Sequence, residues 1–228
     1  MYKGKKILAI VPARFASKRL KQKNIIKVTK KKNLLNWTFD AVKNSNYLDK
    51  TILSTESLKI KKVAKKIGFD VPFMRPKYLS RDNVDSEQVI KHVLDKLKLP
   101  FDYIMLLQPT SPLRNYRDID GSIKKIIDKD FSSLISISES KSKKKFNVEV
   151  IKEKLIRFKF NSKKIKKKYF YLNGAIFLVE RNFFFRFSRP YLWQKQNKTT
   201  FFKIPERRSI DIDTREDFIK FKKIARVK

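Results

Sequence analysis

Between residues 14 and 23 the chain places Arg14, Ser17, Lys18, Arg19, Lys21 and Lys23, directly after the apolar run Ile7-Leu8-Ala9-Ile10-Val11 and Pro12. A guanidinium offers a planar fork of donors and an ammonium a compact point charge, and both suit phosphate oxygens. Near the other end stands Ser209-Ile210-Asp211-Ile212-Asp213. In an extended segment residues two apart project to one face, so both carboxylates point one way while Ile210 and Ile212 point into the core. Two carboxylates in a basic, phosphate-binding protein suit Mg²⁺, which takes one or two carboxylates and keeps its other positions for phosphate and water. A plain helix start would explain Asp213, next to the cap residue Thr214, but not Asp211. Two further stretches carry polar handles. Gln108 to Arg114 is stiffened by Pro109 and Pro112, and in Asn173 to Phe177 the pair Gly174-Ala175 lets a ligand approach the strand. The cationic loop has neither G-x-x-x-x-G-K-[ST] nor G-x-G-x-x-G, so it is not a Walker A loop or a dinucleotide fingerprint.

These groups need a scaffold, and the pattern supplies one. Residues 7–11, 51–55, 71–74, 103–107 and 133–138 read as short buried strands. Residues 34–45, 56–67, 86–97 and 118–128 read as crossover helices, the second closed by Gly68. Strands alternating with helices predict a mostly parallel, doubly wound sheet, and such sheets bind ligands outside the carboxyl ends of their strands. The cationic loop and Gln108 both follow predicted strands. After Glu139 the character changes. Lysine runs at 141–145 and 163–168 flank two candidate strands, 146–151 and 155–160, turning at 152–154. Residues 174–179 then return to the sheet, 181–187 read as a short helix, and 201–204 as an edge strand. A closing helix runs from 214 to 225, with Thr214 as cap and Asp217 at its third position.

Composition excludes several classes. The 228 residues suffice for one domain, and no apolar run is long enough to span a membrane. The apolar run after the basic N-terminus is too short for a signal peptide. There is no Cys, hence no disulfide and no thiolate metal site, which fits a cytoplasmic protein. The net charge of +35 suggests nucleic acid at first sight. Yet Lys, Ile, Asn and Phe are all abundant while Gly numbers only 4, the signature of an AT-rich coding genome. The basic residues also spread along the whole chain, without a homeodomain, zinc-finger or ribonucleoprotein signature. The single His, His92, lies mid-helix and reads as structural.

Five stretches in order, VPARFASKRLKQKN, FMRPKYLSRDNVDS, LLQPTSPLR, NGAIF and RSIDIDT, resemble the acylneuraminate cytidylyltransferases, also called CMP-sialic acid synthetases. The resemblance runs from about Ile7 to Phe218. It implies a single Rossmann-like α/β domain over residues 1–228, with residues 140–168 an inserted hairpin arm that makes a homodimer. It implies transfer of CMP from CTP to a 2-keto-3-deoxy sugar acid, with Mg²⁺ and release of pyrophosphate. Arg14, Ser17, Lys18, Lys23 and Asn24 would hold the triphosphate and cytidine. Arg75 and Ser86 would seat the nucleoside, with Asp82 in the same loop. Gln108, Asn173 and Phe177 would touch the sugar acid, and Asp211 and Asp213 would hold Mg²⁺. Arg14, Lys23 and Asp211 would then carry the charge stabilisation on which such phosphoryl transfer depends.

The chain departs from that family at Phe15, where small residues are usual, at Arg19 for Gly, Lys21 for Pro and Phe177 for Tyr. A Gly replaced at position 19 predicts strain if the loop needs a positive φ there. In place of the family's His-Pro-x-Lys-like segment stands 142–146, and the aromatic lining of the sugar pocket is best matched by 191–193. The alternative substrate is 3-deoxy-manno-octulosonate. Against a catalytic reading stand a non-catalytic relative and a nucleic-acid-binding protein.

Overall fold

A computed structural model of the chain describes residues 1–140, 147–151, 154–159, 169–186 and 198–226. Strand β1 (Ile7–Pro12) is followed by helix α1 (Leu34–Lys43), β2 (Lys50–Ser54), α2 (Leu58–Ile67), α3 (Ser86–Leu97), β3 (Tyr103–Leu106), α4 (Tyr116–Asp128) and β4 (Ser133–Ser140). Then come β5 (Asn147–Ile151), β6 (Lys154–Lys159), β7 (Tyr169–Glu180), α5 (Arg181–Arg186), β8 (Thr199–Lys203) and α6 (Arg215–Arg226). The main sheet runs β2-β1-β3-β7-β4-β8, and β5 and β6 form a hairpin attached to β7. The fold is α/β and Rossmann-like, as expected.

β1 sits inside the sheet, parallel to β2 and β3, and all its apolar residues are fully buried. Ile7, Ala9 and Val11 face a core with α1, α2 and α4, while Leu8 and Ile10 face one with α3 and α5. That two-sided burial is why the strand reads as a continuous apolar run. α6 closes a third cluster, in which Phe218 and Phe221 pack on Leu20, Leu113 and Ile212. Gly68 ends α2 at φ 117, a conformation open to Gly. A Cβ there would also meet the Phe39 ring at 2.6 Å.

One expectation is corrected. Residues 71–74 do not form a strand. Asp70 makes an isolated bridge to Ile52, and Arg75 N–H donates to Thr55 O at 2.8 Å. Between them Pro72 has no N–H, so the ladder cannot continue. The main sheet is mostly parallel, as expected, and β7 is the strand of it that runs antiparallel, to both β3 and β4. The arm strands are present as the β5–β6 hairpin, and Val148 packs on Ile137 and Phe201. The lysine runs at 141–145 and 163–168, the residues at 152–153, the segment 142–146 and the aromatics at 191–193 lie outside the described residues.

Candidate active site

The carboxyl ends of β1 and β3 open onto one cleft of about 280 Å³. Arg14, Lys23 and Asn24 line it from the loop after β1, and Arg75, Asp82 and Ser86 from the segment leading into α3. Gln108 comes from the turn after β3, and Asp211 and Asp213 from the segment before α6. The structure thus gathers nine of the residues singled out in the sequence, from four separate stretches.

Each wall is fixed by hydrogen bonds. Asn24 is buried, and its Nδ2 donates to Arg14 O at 2.9 Å, closing the base of the cationic loop. The loop's left-handed residue is Gln22, at φ 53, and Arg19 is not among the positive-φ positions. The strain expected from losing Gly at position 19 therefore does not arise. The turn after β3 is held by Arg114, which is 2% exposed and donates to Gln108 O and Ala175 O. Burial pushes the Arg114 guanidinium down to about 10, opposed by the charge of Asp118. Ile212 N–H donates to Thr110 O at 2.8 Å, so the aspartate segment is stitched to that turn. At its far end Asp217 accepts from the N–H groups of Asp213 and Thr214, while the Thr214 hydroxyl caps α6. Ile212 is fully buried and Ile210 half-buried, as the alternation requires.

The charges pair in a pattern that concerns function. Asp82 takes both Arg14 and Lys18, each at 2.7 Å. Asp213 takes both Lys23 and Arg19, each at 2.9 Å. The Asp82 carboxyl is held below the usual carboxylate range by hydrogen bonds from Lys18 and then Arg14. Apart from Lys23, these side chains are open to water, and solvent screening leaves such pairs contributing little. The cations are therefore free to exchange a carboxylate for a phosphate oxygen at little cost. Asp211 differs, with no ion pair among the described residues. Its outer surface meets solvent, but the carboxyl is crowded by the cleft wall. Desolvation raises its pKa, the Thr110 hydroxyl opposes this, and the Asp213 charge raises it further. A carboxylate that the Lys23 charge reaches but that makes no ion pair, beside a second carboxylate, is a donor set that suits a hard divalent ion. Among the described residues no cluster of three such groups occurs, so any ion here would complete its shell with phosphate and water.

Not every expected residue reaches the cleft. Ser17 and Lys18 lie on the loop outside the lining, with Lys18 reaching inward only through Asp82. Asn173 is 3% exposed, and its amide is consumed within the sheet. Its Oδ1 accepts from Ser136 Oγ and Ala175 N–H, and its Nδ2 donates to Ser138 Oγ. Its place is in the bulge where β7 loses register with β4 between Ile135 and Ile137. That bulge puts Gly174, at φ 71, beside Asp211 and Gln108. Phe177 packs into the clusters on the sheet and is not part of the cleft lining. His92 lies edge-on against Phe73, outside the lining, as a structural reading requires.

One residue escaped the sequence reading. Glu56 accepts from Phe15 N–H at 2.6 Å, from Arg75 Nη2 at 2.9 Å and from Ser80 Oγ at 2.9 Å. Its signal was its place, two residues past the end of a parallel strand.

Comparison with known proteins defines the class. The profile of a family described as cytidylyltransferase matches residues 8–227, and the chain belongs to that family. The N-acylneuraminate cytidylyltransferase of Escherichia coli O18:K1:H7 is 30% identical over 93% of this chain, which spans 50% of that protein. The pseudaminic acid cytidylyltransferase of Campylobacter jejuni serotype O:23/36 is 28% identical over 96% of this chain and 95% of its own length. The fold is shared with a solved CMP:2-keto-3-deoxy-manno-octonic acid synthetase complexed with CTP. Its TM-score is 0.80 at 14% identity, over 97% of this chain and 99% of that one.

Proposed function

We propose that this chain transfers CMP from CTP to the anomeric hydroxyl of a nonulosonic acid of sialic, legionaminic or pseudaminic type, releasing pyrophosphate. The observation that supports it best is the meeting of Arg14, Lys23, Asp211 and Asp213 in one cleft of a cytidylyltransferase fold. In this reading the anomeric hydroxyl attacks the α-phosphorus, its proton passes to water, and the bond to the bridging oxygen breaks as pyrophosphate departs. No protein nucleophile is required, only positioning and charge neutralisation. Arg14 and Lys23 leave Asp82 and Asp213 and take up phosphate oxygens. Arg75 and Ser86 seat the nucleoside, and Gln108 meets the sugar acid. Mg²⁺ bound at Asp211 and Asp213 would supply neutralisation of the triphosphate charge. Asn173 acts by shaping the β7 bulge.

The reading extends to a cytoplasmic homodimer built through the β5–β6 arm. Among the described residues no helix is long and apolar enough to cross a membrane. A 3-deoxy-manno-octulosonate acceptor is the second reading, and a synthetase of that acid shares the fold at 14% identity. That likeness speaks for fold alone, whereas the relatives above 25% identity named here act, by their names, on nine-carbon acids.

Pyrophosphate release with each of the four nucleoside triphosphates and a panel of sugar acids tests this. CTP with a nonulosonic acid should exceed every other pairing, because a site built on hydrogen bonds to one base leaves polar groups unpaired with another. Equal release from UTP and CTP would contradict it.

A further inference from the structure

We propose that Glu56 is a positioning residue that locks the phosphate loop to the nucleoside loop, so that the two halves of the nucleotide site respond as one. The inference rests on the CTP reading above and goes beyond it, because Glu56 lies outside the cleft lining and would touch no substrate atom.

Three donors from two separate loops converge on this carboxylate. Phe15 N–H belongs to the loop after β1, next to Arg14. Arg75 Nη2 and Ser80 Oγ belong to the segment that carries Asp82 and Ser86. Glu56 itself follows β2, between the two. Its side chain is 12% exposed and that of Arg75 only 3%, so this pair is nothing like the open pairs on Asp82 and Asp213. Burial pushes the Glu56 carboxyl up, but the Phe15 N–H and then Arg75 overcome it and hold the group below its usual range. It is therefore an anion at neutral pH. Removing one partner of a buried, hydrogen-bonded charge pair leaves the other uncompensated.

Arg75 shows what the lock accomplishes. One edge of its guanidinium is spent on Glu56, while its Nε–H is buried without a partner in a side chain that lines the cleft. A fixed fork with an unused donor is prepared for a ligand acceptor. The backbone next to Arg14 hangs from the same carboxylate, so a shift of one loop is felt by the other. The open pairs of Arg14 and Lys18 with Asp82 bridge the same loops, but they are the ones triphosphate would break. Glu56 holds the loops together while those cations change partners.

Glu56→Gln tests the proposal. It keeps the length and one acceptor oxygen for Phe15 N–H, but it removes the charge and turns an NH₂ toward Arg75 or Ser80. Calorimetric binding of CTP and UTP with Mg²⁺ should show CTP affinity falling about tenfold or more, the scale of one charge-assisted hydrogen bond. The preference for CTP over UTP should shrink with it, while kcat at saturating CTP stays within about threefold, since ground-state and transition-state binding are lost alike. Glu56→Asp keeps the charge but cannot span all three donors, and it should show the same pattern in smaller measure should the Gln variant not fold. A wild type that binds no nucleotide overturns the CTP reading and this proposal together. A wild type that binds CTP, beside variants whose affinity is unchanged or falls equally for CTP and UTP, overturns this proposal alone, because uniform loss is what a merely structural residue gives.

Discussion

Asp211 and Asp213 stand two residues apart and face one cleft, yet they live under different conditions. Asp213 carries two cations, while Asp211 carries none and is crowded by the wall behind it. A carboxyl whose pKa is raised in the folded chain binds its proton more tightly there than in the unfolded chain. Its contribution to stability is therefore lost as pH rises through the folded value, and ionised Asp211 is a burden at neutral pH. Asp211→Asn should accordingly melt at or above the wild-type temperature in the presence of chelator. The same change should cost about a hundredfold or more in turnover, as loss of an electrostatic stabiliser does elsewhere. Paired thermal melts and rate measurements check this. A variant that is both less stable and fully active would make the aspartate an ordinary helix-start residue.

At the scale of elements, the β7 bulge connects the sheet to the cleft. Ser136 and Asn173 satisfy the polar groups that the register shift leaves unpaired. Ser136 Oγ accepts from Ile176 N–H while donating to Asn173 Oδ1. The bulge carries Gly174 at φ 71, and an added Cβ would meet Asp211 and Gln108 only at ordinary contact distances of 3.7 and 3.9 Å. Conformation rather than space therefore demands glycine. Gly174→Ala should cost about 1–2 kcal/mol, the penalty of a left-handed residue with a side chain. Differential melting would show this as a drop of about 2–8 °C, and an unchanged melting temperature would remove the conformational argument.

The same element shows what sequence can and cannot reveal. β1 and β3 were legible because burial on both faces makes a strand continuously apolar. Four of the five motif stretches were legible because each follows a strand end or precedes a helix start, whereas the fifth, around Asn173, lies inside β7. The direction of β7 was not, since its apolar run would look the same parallel or antiparallel. The role of Asn173 was hidden because a bulge decides which side of the sheet a side chain joins. Glu56 went unread because its partners are separated from it by 19 to 41 residues and meet only in the fold.

At the scale of the whole molecule, the charge of +35 and the arm need explaining. Arg14, Lys18, Arg19, Lys23 and Arg75 are each paired with Asp82, Asp213 or Glu56, so the site is not simply a basic patch. Among the described residues the hairpin joins the sheet ladder through two residue pairs with β7. Such a thinly attached strand pair needs a further surface to cover it. Sedimentation equilibrium at micromolar concentration should therefore give the mass of two chains, and removal of residues 141–166 the mass of one. An active, full-length monomer would end the arm reading.

The most direct test of the central claim follows the phosphorus. CTP labelled at the α-phosphate should pass its label to a conjugate with a nonulosonic acid, and CTP labelled at the γ-phosphate should pass its label to pyrophosphate. The account requires both, dependent on Mg²⁺ and abolished by Asp211→Asn. Retention of the α-label in free nucleotide across the whole acid panel, with wild-type protein shown to be folded, would contradict it.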